Sequence, residues 1–122
     1  TFSMPTDRDA AAVSHVHEVV AKYERDPLNV KVASSRWFTE TKKAQAELLE
    51  RAPELDQPFL FLVAGDDMLV DAGASEEVYH RMGSHDREFE IFPELYHEIL
   101  NEEVWDELTL QVVNWLDQRL PE

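Results

Sequence analysis

The stretch Pro58-Phe59-Leu60-Phe61-Leu62-Val63-Ala64-Gly65-Asp66-Asp67 decides the fold. Its apolar run is unbroken from Phe59 to Ala64 and is bounded by a proline and a glycine. A strand with one wet face alternates apolar and polar side chains, whereas a strand covered on both faces reads as a continuous apolar run, the habit of parallel sheets. Residues 59–64 are therefore expected to form a strand covered on both faces. The loop behind it, residues 65–73, is rich in Asp.

Working outward toward the C-terminus, residues 74–82 fit a helix with Val78, Tyr79 and Met82 inward and Gly83 as its closing C′ residue. Glu88-Phe89-Glu90-Ile91-Phe92 nearly alternates, which suits the wetter edge strand of a sheet. A strand–helix–strand unit of this kind joins parallel neighbours by a right-handed crossover. Residues 93–100 read as a loop. Asn101 is the expected cap of a last helix, with Glu102 and Glu103 near its positive end and Val104, Leu108, Val112, Trp115 and Leu116 as its apolar stripe.

Toward the N-terminus, residues 54–58 are a polar connection. A helix entered at Ser34 or Ser35 is expected to run to about Arg51, closed by Pro53, with Trp37, Thr41, Ala44 and Leu48 on one face. Residues 28–33 are a loop or an irregular extended piece. Before it, a helix is expected from Thr6, as cap, to about residue 24. Asp7 and Asp9 stand in its first turn, Ala12, Val13, Val16, Val19, Val20 and Tyr23 form its stripe, and Asp26-Pro27 ends it.

The chain has 122 residues, enough for one domain at most. Only two strands are expected in it, and a two-stranded parallel sheet leaves one row of backbone groups on the apolar strand unpaired. Further strands are expected on a separate polypeptide or a removed segment, and the opening residue Thr1 fits material missing upstream. The other possibility is a small complete domain with a third strand near residues 28–33.

Composition narrows function. Eleven Lys and Arg against 26 Asp and Glu give a net charge of −15, which excludes a nucleic-acid binder and disfavours an anionic membrane surface. There is no cysteine, so disulfides, thiolate metal sites and Cys nucleophiles are out, and a reducing, cytoplasmic setting is expected. No apolar run is long enough to form a transmembrane segment, and no signal peptide is visible. His15 and His17 are two apart on an expected helix and face different directions, so they do not share an ion. Lysines stand only at 22, 31, 42 and 43, which excludes a phospho-receiver, and there is no glycine-rich phosphate loop.

The chemistry-bearing residues are Asp66, Asp67 and Asp71 after the first strand and His97 after the second. Sites in open parallel sheets form beyond the carboxyl ends of the strands, where neighbouring loops lie side by side. An Asp–His pair there orients an imidazole as a general base for a hydroxyl nucleophile. Asp in such a loop is also an ordinary turn former.

Three stretches carry a resemblance: residues 58–71, ending Ala64-Gly65-Asp66-Asp67-Met68-Leu69-Val70-Asp71; Glu88 to Glu102, containing Tyr96-His97-Glu98-Ile99-Leu100-Asn101-Glu102; and Tyr23-Glu24-Arg25-Asp26-Pro27-Leu28. Together with Trp115-Leu116 they resemble the C-terminal part of α/β-hydrolases, in particular the monoacylglycerol lipase and lysophospholipase group of serine hydrolases. The resemblance implies an α/β fold in which cap helices and the last two parallel strands are present and the sheet is completed by an N-terminal half. It makes residues 1–53 a cap segment with a connecting helix and residues 54–122 part of the hydrolase core. It makes Asp67 the triad acid and His97 the triad base, with Asp66 and Asp71 shaping the loop, and puts Leu69 and Val70 beside a substrate channel. Trp37 and Phe38 are then candidates to line an acyl pocket.

The resemblance implies no metal and no organic cofactor. The expected substrate is a lipid-like ester, and the expected partner is the N-terminal half of the same hydrolase. The family order is Ser, Asp, His, but no G-x-S-x-G occurs here: Gly stands only at 65, 73 and 83. Ser3, Ser14, Ser34, Ser35, Ser75 and Ser84 are expected as caps or surface residues, and the nucleophile and oxyanion hole are expected from the N-terminal half. Two other functions fit the same residues: an epoxide or halide hydrolase with an Asp nucleophile, and a non-catalytic binding module built on the half-fold.

Overall fold

A computed structural model describes residues 3–6 and 9–120. At its centre β3 (Phe59–Ala64) and β4 (Arg87–Phe92) run parallel, paired from Phe59 opposite Arg87 to Ala64 opposite Phe92. Helix α3 (Ala72–Arg81) makes the crossover between them. It starts at Ala72 because Asp71, extended and just outside the helix, takes the Gly73 amide at 2.8 Å. The helix packs on the sheet through Tyr79, whose ring lies 5.1 Å from that of Phe89 and 6.0 Å from that of Phe61. The Arg87 guanidinium covers the Tyr79 ring at 4.9 Å.

Gly83 does not take the left-handed turn expected of it; none of the described residues has a positive φ. The helix stops because Met82 turns extended. Gly83 is needed for another reason: a Cβ there would sit 2.3 Å from the carbonyl oxygen of Pro53. This close approach seats the end of α3 beside Ala52, which is fully buried. Helix α2 (Ser35–Arg51) leads into that point and is capped as expected, Ser34 Oγ accepting the Trp37 amide at 3.1 Å.

Helix α4 (Trp105–Asp117) begins at Trp105, past Asn101, because residues 99–101 form a separate 3-10 turn. Leu108 is its buried anchor. Its end is tied to β4 by Arg119, which pairs with both oxygens of Asp86 at 2.5 and 2.8 Å, reaches Glu88 at 3.0 Å and stacks 3.9 Å over Trp115.

The first expected helix is broken. Asp9 caps a 3-10 turn at Ala10–Ala12, and α1 (His17–Arg25) starts only after residues 13–16. Tertiary contact overrides the periodicity: Val13 and Ser14 are buried, and Ser14 Oγ donates to the Asn101 carbonyl at 2.8 Å while accepting the Val16 amide at 2.9 Å. Thr6 is not a cap. Its amide donates to Lys31 O at 2.9 Å and its hydroxyl to Val30 O at 3.2 Å. These bonds extend a short antiparallel ribbon of β1 (Ser3–Pro5) and β2 (Val32–Ser34). The expectation for Asp7 lies outside the described residues.

The extended piece near residue 30 therefore exists, but it pairs with β1 and not with the parallel sheet. Among the described residues β3 has β4 as its sole neighbouring strand. Of β3 only Ala64 is buried, and the rest is half-buried. A strand of this composition is covered on neither face as fully as the sequence expects. Among the described residues no helix is long and apolar enough to cross a membrane.

Candidate active site

The site begins where β3 and β4 end. The pairing continues past the strands: Gly65 N–H donates to Phe92 O at 2.8 Å and Asp66 N–H to Leu95 O at 3.1 Å. Gly65 permits this, since a Cβ would lie 2.6 Å from Pro93 Cα. The two loops are thus laced together just before the residues that matter.

Asp67 then folds its own loop. Its Oδ1 accepts the amides of Leu69 at 2.7 Å and Val70 at 3.0 Å. That leaves Oδ2, which meets His97 Nδ1 at 2.9 Å across 30 residues of sequence. The Asp67 side chain is 9% exposed and that of His97 36%, so the acid is covered while the imidazole reaches solvent. The carboxylate only accepts, so Nδ1 carries the proton and Nε2 of the neutral ring is left with a lone pair.

Burial alone would raise the Asp67 carboxyl, but the hydrogen bonds from His97 and from the Leu69 and Val70 amides outweigh it and hold it below the usual carboxylate range. A depressed native value means that Asp67 contributes stability above its unfolded value of about 3.9, and that this is lost as pH falls through the lower native value. In His97→Ala the largest of those hydrogen bonds is gone, so the Asp67 midpoint, followed by carboxyl carbon NMR, is expected to move up. An unchanged midpoint would show that the imidazole does not hold the acid.

The loop that carries His97 is itself fixed on both sides. The Tyr96 amide donates to Glu102 Oε1 at 2.9 Å, and the Glu98 amide donates to Val13 O at 2.8 Å. Glu102 is 2% exposed and also accepts from the His15 amide at 3.2 Å and from His15 Nδ1 at 3.0 Å. The His15 ring stacks on Tyr96 at 3.7 Å.

These placements revise several expectations. Glu102 does not stand in the first turn of the last helix but is buried before it, and Ser14 and Ser84 are buried and not surface residues. Ser84 Oγ donates to Asp86 O at 3.1 Å. The sequence gives no local sign of the Glu102 cluster, because its partner His15 stands 87 residues away. Asp71 caps α3, and Asp66 contributes its backbone to the loop pairing, as loop-shaping residues should. Leu69 and Val70 supply the amides that hold Asp67, with side chains 38% and 48% exposed. Trp37 and Phe38 lie in the first turn of α2, 51% and 53% exposed, so the described residues do not enclose them in a pocket. Among the described residues no group of three or more acidic or histidine side chains is placed to hold a metal.

Residues 1–104 match the family described as serine aminopeptidase, S33. Phospholipase YtpA of Bacillus subtilis is 33% identical over 86 residues, which are 70% of this chain and 33% of that protein. Monoacylglycerol lipase of Mycolicibacterium smegmatis is 29% identical over 116 residues, which are 92% of this chain and 40% of that protein. The crystal structure of a soluble variant of monoglyceride lipase from Saccharomyces cerevisiae, in complex with a substrate analog, superposes with a TM-score of 0.86 at 22% identity. It covers 98% of this chain and 44% of that one. The chain thus spans less than half the length of each of these proteins.

Proposed function

The chain belongs to the serine aminopeptidase S33 family and has the fold of the C-terminal part of an α/β-hydrolase, and on that footing we propose that it is the acid- and base-bearing portion of a serine carboxylester hydrolase. The observation that carries the reading is the 2.9 Å bond between Asp67 Oδ2 and His97 Nδ1 at the carboxyl ends of two paired strands.

In this reading His97 Nε2 takes the proton of a serine hydroxyl as its oxygen attacks the ester carbonyl. The imidazolium then passes that proton to the departing alkoxide, leaving an acyl-enzyme and a free alcohol. Water repeats the sequence: His97 removes its proton, hydroxide adds to the acyl carbon, and the proton returns to the serine oxygen as the carboxylic acid leaves. Asp67 keeps its charge throughout, fixes the ring tautomer and stabilises the imidazolium. The serine and the oxyanion donors belong to the N-terminal portion of the hydrolase, whose strands continue the sheet at the open edge of β3.

Residues 54–122 serve as core and residues 1–53 as cap in this reading. The apolar side chains of Trp37, Phe38, Leu69 and Val70, all substantially exposed, are candidates to line the acyl chain of the ester. Substrates of the monoacylglycerol or lysophospholipid kind fit the lipases that the chain resembles. The test is a serine-reactive phosphonate probe applied to the hydrolase that carries this segment. The wild type is expected to label quickly and the His97→Ala form hardly at all; equal labelling of the two would remove His97 from the role of base.

A further inference from the structure

Around His97 the chain is held by a cluster that the acid–base reading does not use. The 3-10 turn at Ile99–Asn101 carries the backbone round after His97, so that Glu102 comes to lie against Tyr96. Its Oε1 accepts both the Tyr96 amide at 2.9 Å and His15 Nδ1 at 3.0 Å, and its Oε2 accepts the His15 amide at 3.2 Å. The group is 2% exposed, so these donors stand in for water. On the far side of His97 the Glu98 amide is bound to Val13 O at 2.8 Å. Both neighbours of His97 are therefore tied to residues 13–15, one of them through Glu102.

This matters for the imidazole because, among the described residues, its own side chain has one hydrogen-bond partner, Asp67 Oδ2. One hydrogen bond sets a distance but not a position. The remaining freedom is removed by the backbone on either side, and displacement of a reacting group by about 1 Å costs on the order of a hundredfold in rate. We propose that Glu102 is a positioning residue for His97, fixing its backbone through the Tyr96 amide and through His15. The proposal rests on the reading of His97 as the base, but its structural half can be measured without activity.

Glu102→Gln keeps the shape of the side chain but exchanges one acceptor for a donor. Whichever way the amide turns, its NH2 opposes a backbone N–H, either that of Tyr96 or that of His15. In the complete hydrolase this variant is expected to lower kcat toward p-nitrophenyl butyrate by about ten- to a hundredfold. KM is expected to change less than about twofold, because Glu102 is buried and touches no substrate. The low-field proton signal of His97 Nδ1–H is expected to shift or broaden.

His15→Phe is a milder variant that keeps the stack on Tyr96 while deleting the ring donor. It is expected to give the same split at a few-fold size, and it carries the test if Glu102→Gln does not fold. Unchanged kcat and an unchanged His97 proton in a folded variant would overturn the proposal, and so would a loss confined to melting temperature. If His97→Ala retains full activity, the reading of His97 as base fails, and the His97 proton signal alone then decides whether Glu102 holds the ring.

Discussion

Asp67→Asn is expected to lower kcat/KM of the assembled hydrolase by about 10⁴ while leaving it folded. The direction follows from which oxygen does what. The Leu69 and Val70 amides at 2.7 and 3.0 Å both demand an acceptor at the Oδ1 position. The carboxamide oxygen of Asn must take that place, which turns its NH2 toward His97. Nδ1 then has to accept a hydrogen bond, so its proton moves to Nε2, and in the proposed reaction the ring presents a donor to the serine where a lone pair is needed. The imidazolium also loses the charge that steadies it. Steady-state hydrolysis of a short-chain ester, with near-ultraviolet dichroism as the folding control, checks the prediction. A loss below tenfold would mean that Asp67 is a turn former and no part of the catalytic group.

The largest effect on stability is expected at Gly65. Its missing side chain lets the two loops touch, and a methyl group there would lie 2.6 Å from Pro93 Cα and 3.1 Å from Phe92 O. These neighbours are backbone atoms, which cannot swing aside as a side chain can. Gly65→Ala is expected to destabilise the fold by about 3 kcal/mol, the upper end for overpacking, and to open the gap between Asp67 and His97. Gly73 is the control. A methyl group there meets only the Asp71 side chain at 3.2 Å, and Gly73→Ala is expected to stay within about 1 kcal/mol. Urea midpoints of the two variants give the comparison. Equal midpoints would mean that the loops accommodate the methyl group and that their contact is not set by Gly65.

What could be read from the sequence was what local pattern encodes. The apolar run of residues 59–64, the alternation of residues 88–92 and a serine cap at residue 34 or 35 each need only a few consecutive residues; both strands form and Ser34 is the cap, while the cover expected on both faces of the first strand is incomplete. That an aspartate of residues 66–71 would meet His97 was accessible because parallel neighbours bring successive loops together, and the choice of Asp67 among them came from the family resemblance. The break in the first helix was not. A stripe such as Ala12, Val13 and Val16 reads the same whether it faces a helix axis or plugs a loop, and the choice was made by residues 98–102, far along the chain. The same separation hid Glu102. An acidic residue after Asn101 looks like the opening of a helix, and only its partners at residues 15 and 96 turn it inward.

The ribbon of β1 and β2 has a consequence for how the chain tolerates variation in length. Thr6 and Lys31 are hydrogen-bonded neighbours, while Ser14 is tethered to Asn101. The stretch from residue 17 to residue 29 thus departs from one moored point and returns to another. Because closure entropy grows only with the logarithm of loop size, lengthening that excursion by several residues costs a fraction of a kcal/mol and leaves the mooring in place. Insertions in this arm are expected to leave the starting point of α2 unchanged.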